Sequence, residues 1–263
     1  MLVLQQGDGD IRRSSSISQS ATSGTGLHNV HKRPGDRMLN PNQMQRSSDK
    51  PVSNVTKRAM DIVGSVLALF FLAPVFLAIA LAIKLASKGP VFFRQKRVGQ
   101  SGEEFIFFKF RTMHVNNDSR LHQEYVRQLI AGSAQRHPGN GNGRGFYKLT
   151  KDSRITSVGR FLRRTSLDEF PQLLNVLRGE MSLVGPRPAI AYEVEAYDTW
   201  HRQRIFEAKP GMTGLWQVTG RSRVNFDEMV RLDLQYARTW SPWMDLKILM
   251  RTPVAMFFDD GAY

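Results

Sequence analysis

Residues Thr165–Gln172 read TSLDEFPQ: an aspartate and a glutamate stand side by side, with Arg163 and Arg164 just before and Pro171 just after. A carboxylate at a helix start, beside arginine, stays ionised near neutral pH. Such a group binds Mg²⁺ or attacks an electrophilic phosphorus. Neighbours on a helix point in different directions, so Asp168 and Glu169 can divide those two tasks. A plainer role is also open. Ser166 and Glu169 fit an S-x-x-E capping box, and acidic side chains suit a helix N-terminus. A cap contributes about 0.5–2 kcal/mol. The surroundings favour chemistry: Arg154, Arg160, Arg163, Arg164, Arg178 and Arg187 crowd one segment. Arginine forks match phosphate oxygens in pairs.

Further basic groups stand where an anion can be met. In GPRP, Gly185–Pro188, prolines on both sides of Arg187 stiffen the backbone, so its guanidinium is presented with little entropy loss. KPGMTGLWQVTGRSR, Lys209–Arg223, joins glycine-rich turns, a tryptophan and basic residues including Arg221; it reads equally as a packed turn and as a flap over a nucleotide. Lys109 and Arg111 lie two apart and so share one face of a strand. The whole chain has 37 Lys+Arg against 23 Asp+Glu, a net charge of +14. Such a balance expects anionic partners: nucleic acid, anionic lipid or phosphorylated substrates. With no cysteine there is no disulfide, thiolate metal site or cysteine nucleophile. The six histidines are scattered, without an HExxH pattern, which argues against zinc. PGNGNGRG, Pro138–Gly145, lacks the strand before and the GK[ST] after that a phosphate loop needs, and reads as a flexible loop within an irregular, polar stretch 114–150.

These groups need elements to hold them. Phe170, Leu173, Leu174 and Leu177 follow the i, i+3, i+4, i+7 spacing of one helix face, and Gly179 is a natural stop. Pro171 then belongs to the first turn, with Asp168, Gln172 and Asn175 opposite the leucines. VFFRQKRV and EFIFFKFRT, joined through Gly99-Gln100-Ser101-Gly102, predict a β-hairpin. From Ile62 to Ile83 no residue is charged, and this largely apolar run of 22 residues is long enough to span a bilayer. Pro74 interrupts this run, and both flanks are basic: Lys57 and Arg58 before, Lys84 and Lys88 after. Positive charge at both ends predicts a helix-break-helix that dips into one leaflet and returns; a straight span and a buried core helix are the other readings. The C-terminal TWSPWMDLKILMRTPVAMFF mixes apolar residues with Trp240, Trp243, Lys247 and Arg251, which suits an interfacial amphipathic helix and a packed core helix equally. Residues 1–52 are polar, with no leader-like start, and read as a disordered tail.

The segments KRAMD, GPVFFRQKRVG, FKFRTM, DSRITSVGRFLRRTSLDEFPQLLNVLRGEMSLVGPRP and KPGMTGLWQVTGR occur in the order found in one family. From about Lys57 to Tyr263 the chain resembles the bacterial sugar transferases, small monotopic polyprenol-phosphate phosphoglycosyl transferases. It is most similar to exopolysaccharide-initiating members. The resemblance implies an α+β, mainly helical fold: a re-entrant membrane hairpin over 53–88 with its break at Pro74, then a membrane-associated catalytic domain over 89–263. That domain would carry a β-hairpin and amphipathic interfacial helices, and would lie on the cytoplasmic face of the bacterial inner membrane. It also implies transfer of a hexose-1-phosphate, galactose or glucose, from a UDP-sugar to undecaprenyl phosphate, with Mg²⁺ and release of UMP. Asp168 would be the nucleophile holding a covalent phosphosugar. Glu169, with Asp168, would position the metal. Arg163 would organise the phosphate site, and Arg187 would contact the nucleotide. Arg154, Lys109, Arg111 and Arg221 complete the expected substrate contacts. Membrane lipid is an expected partner and nucleic acid is not. One departure is Ala73, where relatives often carry serine before the hairpin proline. Two rivals differ in outcome: a direct metal-dependent glycosyltransferase releases UDP, and a non-enzymatic basic membrane-anchored protein releases nothing.

Overall fold

The computed structural model describes residues 51–115, 120–134, 154–220 and 223–258. The tail up to residue 50, the PGNGNGRG segment and Arg221 lie outside them.

The apolar run forms helix α1, Pro51–Ala86. Among the described residues it is the one helix long and apolar enough to cross a membrane. The expected break is not an interruption, because α1 runs through Pro74 as a single helix. A proline removes one N–H donor and leaves the other hydrogen bonds of its turn in place, so helical backbone can continue past it. The N-terminal charges do more than flank the run. Arg58 donates to the carbonyls of Val176 and Leu177 at 2.6 and 2.7 Å. Asp61 accepts from Ser182 Oγ and the Leu183 N–H, both at 2.9 Å. Lys57 pairs with Asp245 at 2.7 Å and donates to Val184 O at 3.0 Å. These bonds fasten the start of α1 to the rest of the chain. Its other end packs through Ile79 and Ile83 on Phe110 and Leu162. Between them, Val66, Leu67, Phe70, Phe71 and Val75 are exposed.

The hairpin forms as the alternation predicts. Strands β1, Phe92–Val98, and β2, Glu104–Phe110, pair antiparallel from Phe92↔Phe110 to Val98↔Glu104. The connection is a tight 3₁₀ turn with Gly102 at φ 87°. Part of the stretch expected to be irregular is helical: α2, Arg120–Ile130, packs Leu129 and Ile130 on the core. Polar residues dominate it, and the few apolar ones share a face, so the pattern is thin in sequence. Helix α3, Ser157–Arg164, starts at Thr156, whose hydroxyl accepts from the Gly159 N–H at 2.9 Å.

Helix α4 covers Gln172–Arg178 and ends at Gly179, left-handed at φ 85°, as the sequence indicates. Strands β3, Ser182–Val184, and β4, Gly211–Thr213, pair parallel. The Lys209 segment is thus partly a strand beside GPRP. The two backbones approach so closely that a Cβ on Gly211 would stand 2.1 Å from the Gly185 nitrogen. Short helices α5, Ala191–Glu195, and α6, Thr199–Glu207, come between these strands; α7, Leu215–Thr219, α8, Phe226–Thr239, and α9, Pro242–Phe258, follow. Ile205, Phe226, Val230 and Leu234 join α6 to α8 in one apolar cluster.

Candidate active site

Asp168 and Glu169 do not open the leucine helix. They sit in a separate 3₁₀ turn, Leu167–Glu169, and α4 begins only after Pro171. The expected capping box is absent as well. Ser166 is left-handed at φ 53° and makes no side-chain cap bond. A non-glycine residue held there costs on the order of 1–3 kcal/mol and persists only where the surroundings impose it.

α4 is buried on its polar face as well as at Leu173 and Val176. Asp168, Gln172 and Asn175 are buried, whereas Leu174 on the leucine face is exposed. Asn175 accounts for the burial of the polar side. Its Nδ2 donates to Ile106 O at 2.7 Å and to Glu180 Oε2 at 2.6 Å, and its Oδ1 accepts from the Phe108 N–H at 3.2 Å. It pairs with the free edge of β2 as a further strand would. This clamp sets the acidic turn against the end of β2, where Lys109 stands.

Lys109 Nζ lies 2.5 Å from Glu169 Oε1 and 3.7 Å from Asp168 Oδ2. One ammonium therefore serves both carboxylates, which differ in setting: the Asp168 side chain is 8% exposed and that of Glu169 37%. Burial pushes the Asp168 carboxyl above its usual range, and Glu169 pushes the same way; Lys109 and Arg163 pull against them. Desolvation outweighs the nearby cations in setting that direction, and the largest counterweight is Lys109 rather than arginine. For Glu169, burial is the largest single influence and acts upward. Lys109, through its charge and hydrogen bond, outweighs it together with Arg187 and Gln172, so the carboxyl falls below its usual range. Two adjacent carboxylates are thus driven in opposite directions, a pattern that separates acid–base or nucleophilic roles.

Arg163 donates through Nε to Thr112 Oγ1 at 2.9 Å, and its charge is felt at Asp168. Arg187 is exposed between buried Pro186 and Pro188, and its charge is felt at Glu169. The structure therefore gathers Asp168, Glu169, Lys109, Arg163 and Arg187. Arg111 differs: its guanidinium donates to Ser87 O, Ser87 Oγ and Lys88 O at 2.7–3.0 Å. It caps the chain leaving α1, a structural role for a side chain expected from the sequence to meet substrate. Arg154 is half-buried, and its carbonyl accepts from the His114 N–H at 3.0 Å.

Asn175, Thr112 and the buried Arg97, Arg204 and Asp233 were not singled out as site residues in the sequence. Asn175 alone carried a signal, seven residues after Asp168 on the same helix face. Among the described residues no group of three or more His, Cys, Asp or Glu could hold a metal. Mg²⁺ is nonetheless compatible with the donors present, since it commonly takes one or two carboxylates and fills its octahedron with substrate phosphate and water.

Residues 52–259 match the sequence profile described as bacterial sugar transferase. The exopolysaccharide production protein ExoY of Sinorhizobium fredii is 39% identical over 214 residues, 81% of this chain and 91% of that protein. The UDP-glucose:undecaprenyl-phosphate glucose-1-phosphate transferase of Caulobacter vibrioides is 42% identical over 221 residues, 80% of this chain and 73% of its own length. The undecaprenyl-phosphate galactose phosphotransferase of Salmonella typhimurium is 42% identical over 222 residues, 84% of this chain and 44% of that longer protein.

Proposed function

Since the chain belongs to the bacterial sugar transferase family, we propose that it moves galactose- or glucose-1-phosphate from a UDP-sugar to undecaprenyl phosphate, the first membrane step of exopolysaccharide synthesis. The observation that carries this reading is the acidic turn: a buried and a half-exposed carboxylate on either side of one lysine, with Arg163 and Arg187 beside them.

In the first half-reaction an Asp168 carboxylate oxygen attacks the phosphorus nearer the sugar. The P–O bond to UMP breaks, and UMP leaves with the electron pair. In the second half-reaction a phosphate oxygen of the lipid attacks the same phosphorus. Asp168 is released as carboxylate, and the product is a lipid diphosphate sugar. Lys109, Arg163 and Arg187 stabilise the charge that spreads over the transferred phosphoryl oxygens. Their cations also offset the burial that disfavours ionised Asp168. Asp168 and Glu169 would hold Mg²⁺ with the donor phosphates. The ion, when bound, neutralises phosphoryl charge.

The same reading sets the chain on the cytoplasmic face of the bacterial inner membrane, with α1 dipping into one leaflet about Pro74. Both ends of α1 are bonded to or packed on the domain that holds the acidic turn, and the bare apolar stretch lies between them. Each large apolar side chain there gains about 1.5–3 kcal/mol on leaving water. On α9, Trp243, Leu246, Met250 and Val254 form an exposed apolar stripe beside Lys247 and Arg251, the composition of an interfacial helix.

The test is turnover with UDP-galactose and UDP-glucose, Mg²⁺ and undecaprenyl phosphate. UMP is the expected product, with a phosphosugar adduct on Asp168 by mass spectrometry and neither for Asp168→Asn. Release of UDP favours direct glycosyl transfer instead, and a wild-type rate from Asp168→Asn refutes the mechanism.

A further inference from the structure

We propose that Arg204, held by Asp233, is a positioning residue that sets where Arg187 presents its guanidinium to the sugar-nucleotide donor. This rests on the reading of Arg187 as a donor contact.

The loop through GPRP is held carbonyl by carbonyl. Pro186 O accepts from the Gly211 N–H at 2.8 Å, and Ala189 O from the Val98 N–H at 2.8 Å. Pro188 O accepts from Arg97 Nη1 at 2.9 Å, and Arg187 O from Arg204 Nη2 at 2.9 Å. The backbone is thus bonded inward while the Arg187 side chain is exposed. Three of these donors come from the neighbouring strands β1 and β4. Arg204 comes from α6, and it bonds the one carbonyl that belongs to Arg187 itself.

Arg204 is in turn fixed from behind. Its Nη2 lies 2.7 Å from Asp233 Oδ2 on α8, with the two side chains 4% and 1% exposed. Burying a guanidinium and a carboxylate together is expensive, and an apolar pair of similar volume often packs as stably. What an apolar pair cannot do is aim a donor at a carbonyl. Asp233 limits the directions open to Arg204, and Arg204 limits the direction of the peptide that carries Arg187. Arg97 sharpens the effect from the other side. It is buried, bonded to the next carbonyl and close enough to Arg187 for mutual repulsion, with burial and that repulsion bringing it down to about 10. Two cations held in register by adjacent carbonyls leave Arg187 to extend outward, where its charge is felt at Glu169.

The experiment measures kcat and KM for the UDP-sugar, with melting temperature, on the full chain in lipid. Three single variants are compared: Arg187→Ala, Arg204→Lys and Asp233→Asn. One guanidinium nitrogen, Nη2, faces both Asp233 Oδ2 and Arg187 O; lysine keeps the charge but not the planar fork that fixes that nitrogen between them. Asparagine keeps the shape of Asp233 and removes its charge. We expect Arg204→Lys and Asp233→Asn each to raise KM about tenfold, the scale of one misaligned charged hydrogen bond. The double variant Arg187→Ala/Arg204→Lys should be no worse than Arg187→Ala alone, since both act through one side chain. A lowered melting temperature with wild-type KM in both Arg204→Lys and Asp233→Asn overturns the inference while leaving the Arg187 reading intact. Failure of both variants to fold also overturns it, because the pair is then purely structural. Wild-type kinetics from Arg187→Ala removes the reading beneath it, and that result is visible without the other two variants.

Discussion

Gly159→Ala is a small change whose effect the structure makes large. Gly159 lies in α3, and a Cβ there would stand 2.0 Å from Thr112 O, 2.6 Å from its carbonyl carbon and 2.7 Å from its Cα. All three are backbone atoms and cannot swing aside. Restoring an ordinary contact near 3.4 Å requires α3 and the residues after β2 to part by about 1.4 Å. Two of the bonds that cross that seam are Thr156 N–H to Thr112 O at 3.0 Å and Arg163 Nε to Thr112 Oγ1 at 2.9 Å. An opening of that size carries both beyond hydrogen-bond range. Overpacking of this kind costs about 1–3 kcal/mol, and the two bonds add about 1 kcal/mol each. For a domain this large the melting temperature should fall by roughly 10 °C. Arg163 retreats from Asp168 by about 1 Å, a misplacement worth about 10²-fold in rate. The assay is UMP release well below the variant's melting point, beside a melting curve from intrinsic tryptophan fluorescence. Ser157→Ala, exposed on the same helix, should change stability by no more than about 0.5 kcal/mol. A wild-type rate and melting point for Gly159→Ala would show that α3 does not press on Thr112. A lower melting point with an unchanged rate would show that Arg163 is not tied to the chemistry.

Burial raises the Asp233 carboxyl to about 6 against an ordinary 3.8, so the folded chain holds this proton more tightly than the unfolded one. Its contribution to stability is full below about pH 4 and lost as pH rises through 6, a change of about 3 kcal/mol; the stability difference between wild type and Asp233→Asn should follow that curve, and a difference flat from pH 4 to 7 contradicts it. Lys57→Met leaves buried Asp245 with the neutral donors Tyr236 and Trp240 and no counter-charge, at a cost of about 3–5 kcal/mol in thermal unfolding. Adding Asp245→Asn should restore much of that loss, and no recovery at all would count against the ion-pair account.

The elements that follow from local patterns were legible in the sequence. The uncharged run became α1, the alternating aromatic segments became the β1–β2 hairpin, and Gly179 ended α4, because each depends on spacing or backbone freedom within a few residues. The acidic pair, the two arginines nearest to it in function and Lys109 could also be named from type and charge. What each would do could not. Ser166 looks like a cap in sequence, yet its backbone is left-handed and its side chain makes no cap bond. Asp168 looks like a carboxylate beside arginine, yet it is buried in a turn next to α4, with Lys109 from β2 as its largest cationic neighbour. Arg111 and Lys109 share a strand face by count; Arg111 is taken by the carbonyls after α1, and Lys109 meets Glu169 sixty residues away. Lys57 and Arg58 look like topological charges and prove to be bonded anchors. In every such case the deciding partner is distant along the chain. A one-dimensional pattern records spacing but not desolvation, and only the folded chain brings a cation, a carbonyl and a buried carboxylate close enough for their energies to compete.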